Sequence, residues 1–465
     1  MIRYFRINDP YRLVGLFILL LIIYFPLFLN DTDLTIPELK SLIVGEKQNE
    51  DYAMYMEVVD NTAPLAAWTH ELLDTVFGRS VIIRHVLAFI IIFLQSAYLG
   101  IMFIIKKVFS ENTYIPSFLF SLLFFFSYDT LALSNELLGS GFLLLALNNL
   151  FQEIEFRNQR DESIFNVGLC ISLASLFAFS FIVYLFCAIV ILLLFTRSTV
   201  RKFLLLVFGF LLPHLLIMSI GYLNGSATEL WQYFYLSNLA FDRTEFVNAK
   251  TLLTLSAIPL TYLVISIVML NREARFSKYQ SQILQTVLLW MGFSFFFVLY
   301  SKDLRPQSLI VFIPGLSFLL THFFLLIRRK KFVQMNAWIL FLGIISIAYL
   351  ARFQKIKSVD YSKLMVKNEA GEIRDKRILV LDNAIHLYNH NYLATPYFNW
   401  DLSQDVFRNP DYYENVTQVF HSFKTDPPDV VIDKKNLLKD FFDRMPEIKA
   451  EYIRRGDQYI RKVNN

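Results

Sequence analysis

Carboxylates crowd the hydrophilic stretch between the first two long apolar runs of this sequence: Asp31 and Asp33 directly after the first run, then Glu38, Glu57 and Asp60. Acids held where hydrocarbon meets water can act as a general base, or bind a divalent cation that steadies a departing phosphate. The plainer roles are helix capping and solvated loop charge. A second polar group, Asp129, Asn135 and Glu136, interrupts the apolar sequence further on. An unpaired acid inside a membrane costs roughly 2.5–3.5 kcal/mol on insertion scales, so Glu136 is expected to face a cavity or a partner. His85 and His214 have no second histidine or cysteine at metal-ligand spacing and read as packing or snorkelling residues. Cys170 and Cys187 lie inside apolar runs and read as small buried hydrophobes. No phosphate-binding glycine loop, dinucleotide fingerprint or nucleic-acid signature is visible.

These groups must be positioned by a membrane fold. Hydrophobic residues make up 55% of the 465 and phenylalanine alone accounts for 47, more apolar surface than a water-soluble domain can hide. A spanning helix needs about 20 apolar residues. Candidate spans are 11–29, 83–105, 114–128, 131–150, 164–180, 181–196, 203–223, 251–270, 283–300, 308–327 and 334–351, an all-α polytopic protein of about eleven spans. The first run follows Arg3, Arg6 and Arg12 but ends without a small-residue cleavage site, so it reads as a retained helix.

The formal net charge of +4 matters less than where the basic residues fall. Beyond the arginines at the start, they cluster at Lys106–Lys107, Arg157–Arg160, Arg197–Lys202, Arg272–Lys278 and Arg328–Lys331, after every even-numbered span. The positive-inside rule then places the N-terminus in the cytoplasm, and an odd number of spans places the tail after Arg352 on the opposite, periplasmic side. The expected division is a membrane domain over 1–351, with a structured outer loop at 30–80, and a soluble α/β domain over 352–465.

Thr35-Ile36-Pro37-Glu38 has the capping hydroxyl, early proline and acid of a helix start. Ile36, Leu39 and Ile43 then share a face, as in a helix lying at the membrane surface. A second such helix starts near Thr62, aligns Leu65, Trp68, Leu72 and Val76, and stops at Gly78. In the tail, Arg377–Leu381 and Asp429–Asp433 read as strands, Leu437–Met445 and Pro446–Arg454 as helices, and His386, Tyr388, His390 and Tyr392 as an ordinary polar turn.

The stretch Asn61-Thr62-Ala63-Pro64-Leu65-Ala66-Ala67-Trp68, followed by Val76-Phe77-Gly78-Arg79-Ser80 and Arg84, resembles the entry into the second span of the GT-C membrane glycosyltransferases. That superfamily includes protein O-mannosyltransferases and lipid A aminoarabinose transferases. The chain also looks like an uncharacterised family of bacterial inner-membrane proteins. The superfamily resemblance covers the first 110 residues best and implies transfer of a sugar from a polyprenyl-phosphate donor to a protein, lipid or glycan acceptor of the cell envelope, on the outer face of the membrane.

It also implies a catalytic acid just after the first helix, matching Asp33 or Asp31, of which Asp33 lies closer to the first surface helix. Where those enzymes carry a tyrosine-alanine pattern this chain has Ile36-Pro37-Glu38-Leu39, and Glu38, Glu57 and Asp60 stand as supporting acids. An arginine near a proline in an outer loop would grip the donor phosphate, a part that suits Arg305 with Lys302. Arg243, which follows the aromatic run Trp231-Gln232-Tyr233-Phe234-Tyr235, is a further phosphate ligand in this reading. The competing classes are a non-catalytic scaffold of the same architecture and a lipid or solute transporter. A transporter calls for broken helices or paired charges at mid-bilayer.

Overall fold

A computed structural model describes residues 1–29, 34–155, 161–196, 199–273, 275–366 and 373–462. The elements that position the polar groups are, in chain order, α1 (Ile36–Asn49), α2 (Pro64–Phe77), α3 (Val81–Ile105), α4 (Asn135–Ile154), β1 (Thr244–Glu245), α5 (Lys278–Tyr300), β2 (Asp303–Leu304), β3 (Arg377–Val380), β4 (Tyr392–Leu393), α6 (Trp400–Arg408), β5 (Val430–Ile432), β6 (Tyr452–Arg455) and β7 (Gln458–Arg461). The chain divides into two compact units. One comprises Met1–Thr32, Val81–Ile217 and Phe241–Leu364; the other comprises Asp33–Ser80, Met218–Ala240 and Met365–Asn465. The outer loop thus belongs with the tail by its contacts, because α1 and α2 bury their inner faces against the tail's sheet.

The first unit is helical. Among the described residues six helices are long and apolar enough to cross a membrane: α3, α4, α5, Val200–Leu223, Pro306–Leu326 and Lys330–Arg352. The pair Ala249–Leu255 and Ala257–Glu273, bent by 65°, makes a seventh if it is one span. Shorter apolar helices cover Tyr11–Pro26, Ile115–Phe126 and Phe179–Phe195. Glycines set one close crossing, between helices Asp161–Ser175 and Val200–Leu223: a Cβ at Gly168 would fall on the Leu206 carbonyl and one at Gly209 on the Phe165 carbonyl, so these two helices meet backbone to backbone. Cys170 and Cys187 are buried free thiols.

Several expected spans are shortened or broken: the helix within 114–128 gives way to a 3-10 turn at Phe124, that of 164–180 ends at Ser175, and that of 251–270 bends between Leu255 and Ala257. The expected span 131–150 starts late: Leu131 ends a 3-10 turn, Ala132 is extended and α4 begins only at Asn135, capped by Ser134. Serine at the N-cap accepts the Leu137 N–H at 3.1 Å and outcompetes helix continuation through the preceding apolar residues. The shift of register brings Glu136 into the first turn of α4.

The second unit is a three-layer α/β sandwich. Its sheet runs β4-β3-β5-β7-β6, with β3 parallel to both neighbours and β7 antiparallel to β5 and β6. Alternation along β3 sends Ile378 and Val380 to one face, against Leu39, Ile43 and Val44 of α1 and Ala67 of α2. Leu379 and Leu381 face the other way, against Trp400, Phe407, Val419, Phe423 and Phe441.

The two surface helices therefore differ. The Leu39–Ile43 stripe of α1, expected at the membrane surface, packs on the sheet instead. The stripe of α2 stays exposed at Trp68, Leu72 and Val76, and Gly78 ends that helix at φ +59, as its sequence indicates. The stretch read as helix to Arg454 stops at Glu451. Tyr452–Arg455 turns back at Gly456 (φ +60) into a β6–β7 hairpin that completes the sheet.

Candidate active site

In the helical unit the fold gathers three of the polar residues singled out from sequence: Asp129, Glu136 and Arg305. Glu136 projects from the first turn of α4, and Arg305 precedes the 3-10 turn Pro306–Phe312 that leads into the next apolar helix. The Arg305 Nη2 donates to both Glu136 oxygens, at 2.8 and 2.6 Å, and both side chains are buried. The Arg305 Nε is buried with no hydrogen-bond partner. One edge of the guanidinium is thus committed to the carboxylate while an N–H remains able to donate, the geometry by which arginine accommodates a second anion.

Asp129 is held next to this pair through Gln307. The Gln307 backbone N–H donates to the Asp129 Oδ2 at 3.3 Å and its side-chain amide to the Ala132 carbonyl at 2.9 Å. Ser127 donates to the other Asp129 oxygen and lies 3.1 Å from the Tyr361 hydroxyl. The chain can present these groups because two 3-10 turns, Phe124–Phe126 and Tyr128–Leu131, are broken by extended Ser127 rather than fused into one helix.

The other two proposed phosphate ligands, Arg243 and Lys302, immediately precede β1 and β2. β1 and β2 pair in parallel, Thr244 opposite Asp303 and Glu245 opposite Leu304. This places Lys302 in an ion pair with Asp242. Arg243 is half-buried, and its Nε has no hydrogen-bond partner.

The first-loop acids have separate fates. Asp31 and Asp33, the expected catalytic residues, lie outside the described residues. Glu38 completes a capping box: its carboxylate accepts the Thr35 N–H at 3.1 Å while Thr35 Oγ1 accepts the Glu38 N–H at 3.4 Å. Glu57 is exposed and closes a turn by accepting the Ala53 N–H at 2.7 Å.

Asp60 is fully buried in the α/β unit and accepts from Lys40 at 2.9 Å, Asn399 Nδ2 at 2.8 Å and Thr62 N at 3.1 Å. Burial pushes its pKa up, but Lys40 and the hydrogen bonds from Thr62, Lys40 and Asn399 outweigh it and hold the carboxyl below its ordinary value.

Sequence reading passed over Glu46. Burial, opposed by Arg79 at 2.9 Å and reinforced by Asp74 and Glu50, raises its pKa to about 7, the range of a general base at neutral pH. No motif marks it: the perturbation comes from α2, which crosses so closely that a Cβ at Gly45 would fall on the His70 carbonyl. Also missed is Lys47, buried and bonded to Asp426 at 2.6 Å and to the Leu393 carbonyl at 3.1 Å. Its partners are remote in sequence. Among the described residues no three histidine, cysteine or acidic side chains converge as a metal site.

Fold and site together define a multi-pass membrane protein with charged groups buried in its helical unit and an α/β sandwich beside its apolar helices in the sequence. Residues 72–360, more than half of the chain, match the family described as "Family of unknown function (DUF6427)", and the chain belongs to that family. No curated protein matches it. Among solved structures, the crystal structure of the Archaeoglobus fulgidus oligosaccharyltransferase in its apo form is similar over 95% of this chain and 73% of its own, at 9% identity and a TM-score of 0.49. The archaeal oligosaccharyltransferase AglB from Archaeoglobus fulgidus, in complex with an inhibitory peptide and a dolichol-phosphate, is similar over 95% and 72%, at 8% identity and a TM-score of 0.48. At such values neither likeness bears on chemistry.

Proposed function

We propose that this protein is a membrane glycosyltransferase that moves a sugar from a polyprenyl-phosphate-linked donor to an acceptor of the cell envelope. The observation that carries the reading is the buried Glu136–Arg305 pair with its unpartnered Nε, in a unit otherwise built from apolar helices. Burying charge in such a unit is costly, and a retained ionic group with spare donor capacity is how a membrane enzyme would receive an anionic ligand.

In this scheme Asp33, with Asp31 beside it, takes the proton from an acceptor hydroxyl. The oxygen then attacks the anomeric carbon, the bond to the phosphate oxygen breaks with inversion, and Arg305, assisted by Lys302 and Arg243, holds the departing phosphate. The lipid tail lies against the exposed apolar surface of the helices. The N-terminus is cytoplasmic in the bacterial inner membrane, with about eleven spans and the 352–465 region in the periplasm. A transporter reading draws on the 65° bend between Ala249–Leu255 and Ala257–Glu273, but Glu136 and Arg305 sit at helix starts rather than mid-span.

The test is replacement of Asp31, Asp33, Glu38 and Arg305 singly by alanine in cells, followed by envelope glycan analysis. Loss of a glycan is expected for Asp33→Ala and Arg305→Ala, and none for Glu38→Ala. A second reading, a non-catalytic scaffold, draws on the engagement of Glu38, Asp60 and Glu136 by structural partners. Unchanged glycans in all four variants, each still inserted in the membrane, would establish it.

A further inference from the structure

The α/β unit has a topological switch point in its sheet, between β3 and β5. From β3 the chain passes through Ile385–His390 on the α1 side of the sheet, where Ala384 and Tyr388 join Leu39 and Ile43, and reaches β4. From β5 it passes through Leu438–Glu451 on the opposite side, where Leu438, Phe441 and Ile448 join Leu379 and Val431. Two adjacent parallel strands whose onward connections leave by opposite faces open a cleft at their carboxyl ends, the place where open α/β sheets bind small ligands.

The side chains at that place are Asp382 and Asn383 after β3, Lys434 and Lys435 after β5, and Asp401 in the first turn of α6. They are linked but not saturated. Asn383 Nδ2 donates to Asp401 Oδ1 at 3.2 Å, Lys434 Nζ lies 3.9 Å from Asp382 Oδ2, and Lys435 Nζ stands 5.9 Å over the Trp400 ring. By contrast the buried Asp433 is consumed as a cap, accepting the Leu437 and Leu438 N–H groups at 2.9 Å each.

The chemistry of this set selects its ligand. Two carboxylates offset the two lysines, so the set carries no net positive charge to hold a phosphate, and neither 381–384 nor 433–436 contains a glycine to bring backbone N–H groups against one. Alternating carboxylate, amide and ammonium groups instead match the donors and acceptors of adjacent hydroxyls. We propose that the crevice at the carboxyl ends of β3 and β5 binds a neutral saccharide through Asp382, Asn383, Asp401 and Lys434. The assignment is independent of whether the chain transfers sugar, since it concerns binding alone.

The experiment uses the full-length protein in a detergent without a sugar headgroup. Glucose, mannose, N-acetylglucosamine and their short oligomers are screened by saturation-transfer NMR, with inorganic pyrophosphate and ADP as the contrary probes. At least one saccharide binds saturably and is not displaced by pyrophosphate, and Asp382→Ala and Asn383→Ala each weaken it tenfold or more with the unfolding temperature retained. Should Asp382→Ala fail to fold, the exposed Asn383 decides the matter. The proposal is overturned if no saccharide binds, if the folded variants bind unchanged, or if pyrophosphate or ADP occupies the site instead.

Discussion

Both units bury an ion pair, and the two pairs are built to opposite ends. In the α/β unit Lys47 meets Asp426, the Leu393 carbonyl and, at 3.7 Å, the ring of Tyr52, while Asp426 also accepts from Arg377 and from the Thr395 N–H. Lys47 and Asp426 each have several partners, although the Arg377 Nε and the Thr395 Oγ1 at the edge of the network have none, and the network ties α1 to the sheet. In the helical unit Arg305 has one carboxylate partner and keeps a buried N–H without one. A saturated network rigidifies its surroundings, whereas a half-saturated one in an apolar setting leaves free energy for a ligand to collect. The comparison sets a many-partnered pair that ties elements together against a pair with a single partner, as is also the case for Lys202 and Glu153 in the helical unit.

That contrast can be broken at its strongest point first. Lys47→Met removes the buried cation from Asp426, which keeps only Arg377 and the Thr395 N–H, and should destabilise the α/β unit by about 3 kcal/mol, the low end for a broken buried pair. Proteolysis confined to the unit as denaturant is raised reads this directly, and an unchanged midpoint would remove the structural role.

Asp60→Ala should cost somewhat less, about 2–3 kcal/mol, because Lys40 is partly exposed and can turn to water while Asn399 loses its acceptor. Its pH signature has a definite sign. The folded pKa of Asp60 is depressed, so its contribution is present above the ordinary value of 3.8 and fades as pH falls through the folded value.

Glu46 sharpens the comparison with the opposite sign. Its folded pKa of about 7 exceeds the ordinary 4.5, so folding takes up a proton between those values. Stability is therefore greatest at the acid side of that window and declines as pH rises from about 4.5 to 7, by about 2 kcal/mol once partial exposure is allowed for. Glu46→Gln should flatten the slope; a slope that survives in the variant assigns it to another group.

How far the sequence reached follows from the range of each interaction. The start of α1 was legible because Thr35, Pro37 and Glu38 act within one turn, and Gly78 marks the end of α2 by its own backbone freedom. Strands β3 and β5 were legible from their β-branched and leucine runs. The hairpin after Glu451 was not, because Tyr452–Arg455 looks like continuing helix unless the Gly456-Asp457 turn is weighed above it. The stripe on α1 announced an apolar partner but not which one; lipid and a sheet more than 300 residues away select the same residues.

For the candidate site, the residue types of Asp129, Glu136 and Arg305 were readable one by one. Their convergence was not, since the pair that joins them spans 169 positions. Glu46 was invisible for the same reason, its character being set by a neighbouring helix.

The central claim is chemical, and one assay confronts it. Purified protein reconstituted in lipid is given a polyprenyl-phosphate donor with a labelled sugar and an envelope extract as acceptor, and Asp33→Asn is compared with the unaltered chain. The account predicts label in the acceptor fraction for the unaltered chain and a loss of at least about a hundredfold for the variant, the least expected on removing a general base. Equal transfer by both, or none by the unaltered chain under conditions where the donor stays intact and the protein folded, would contradict it.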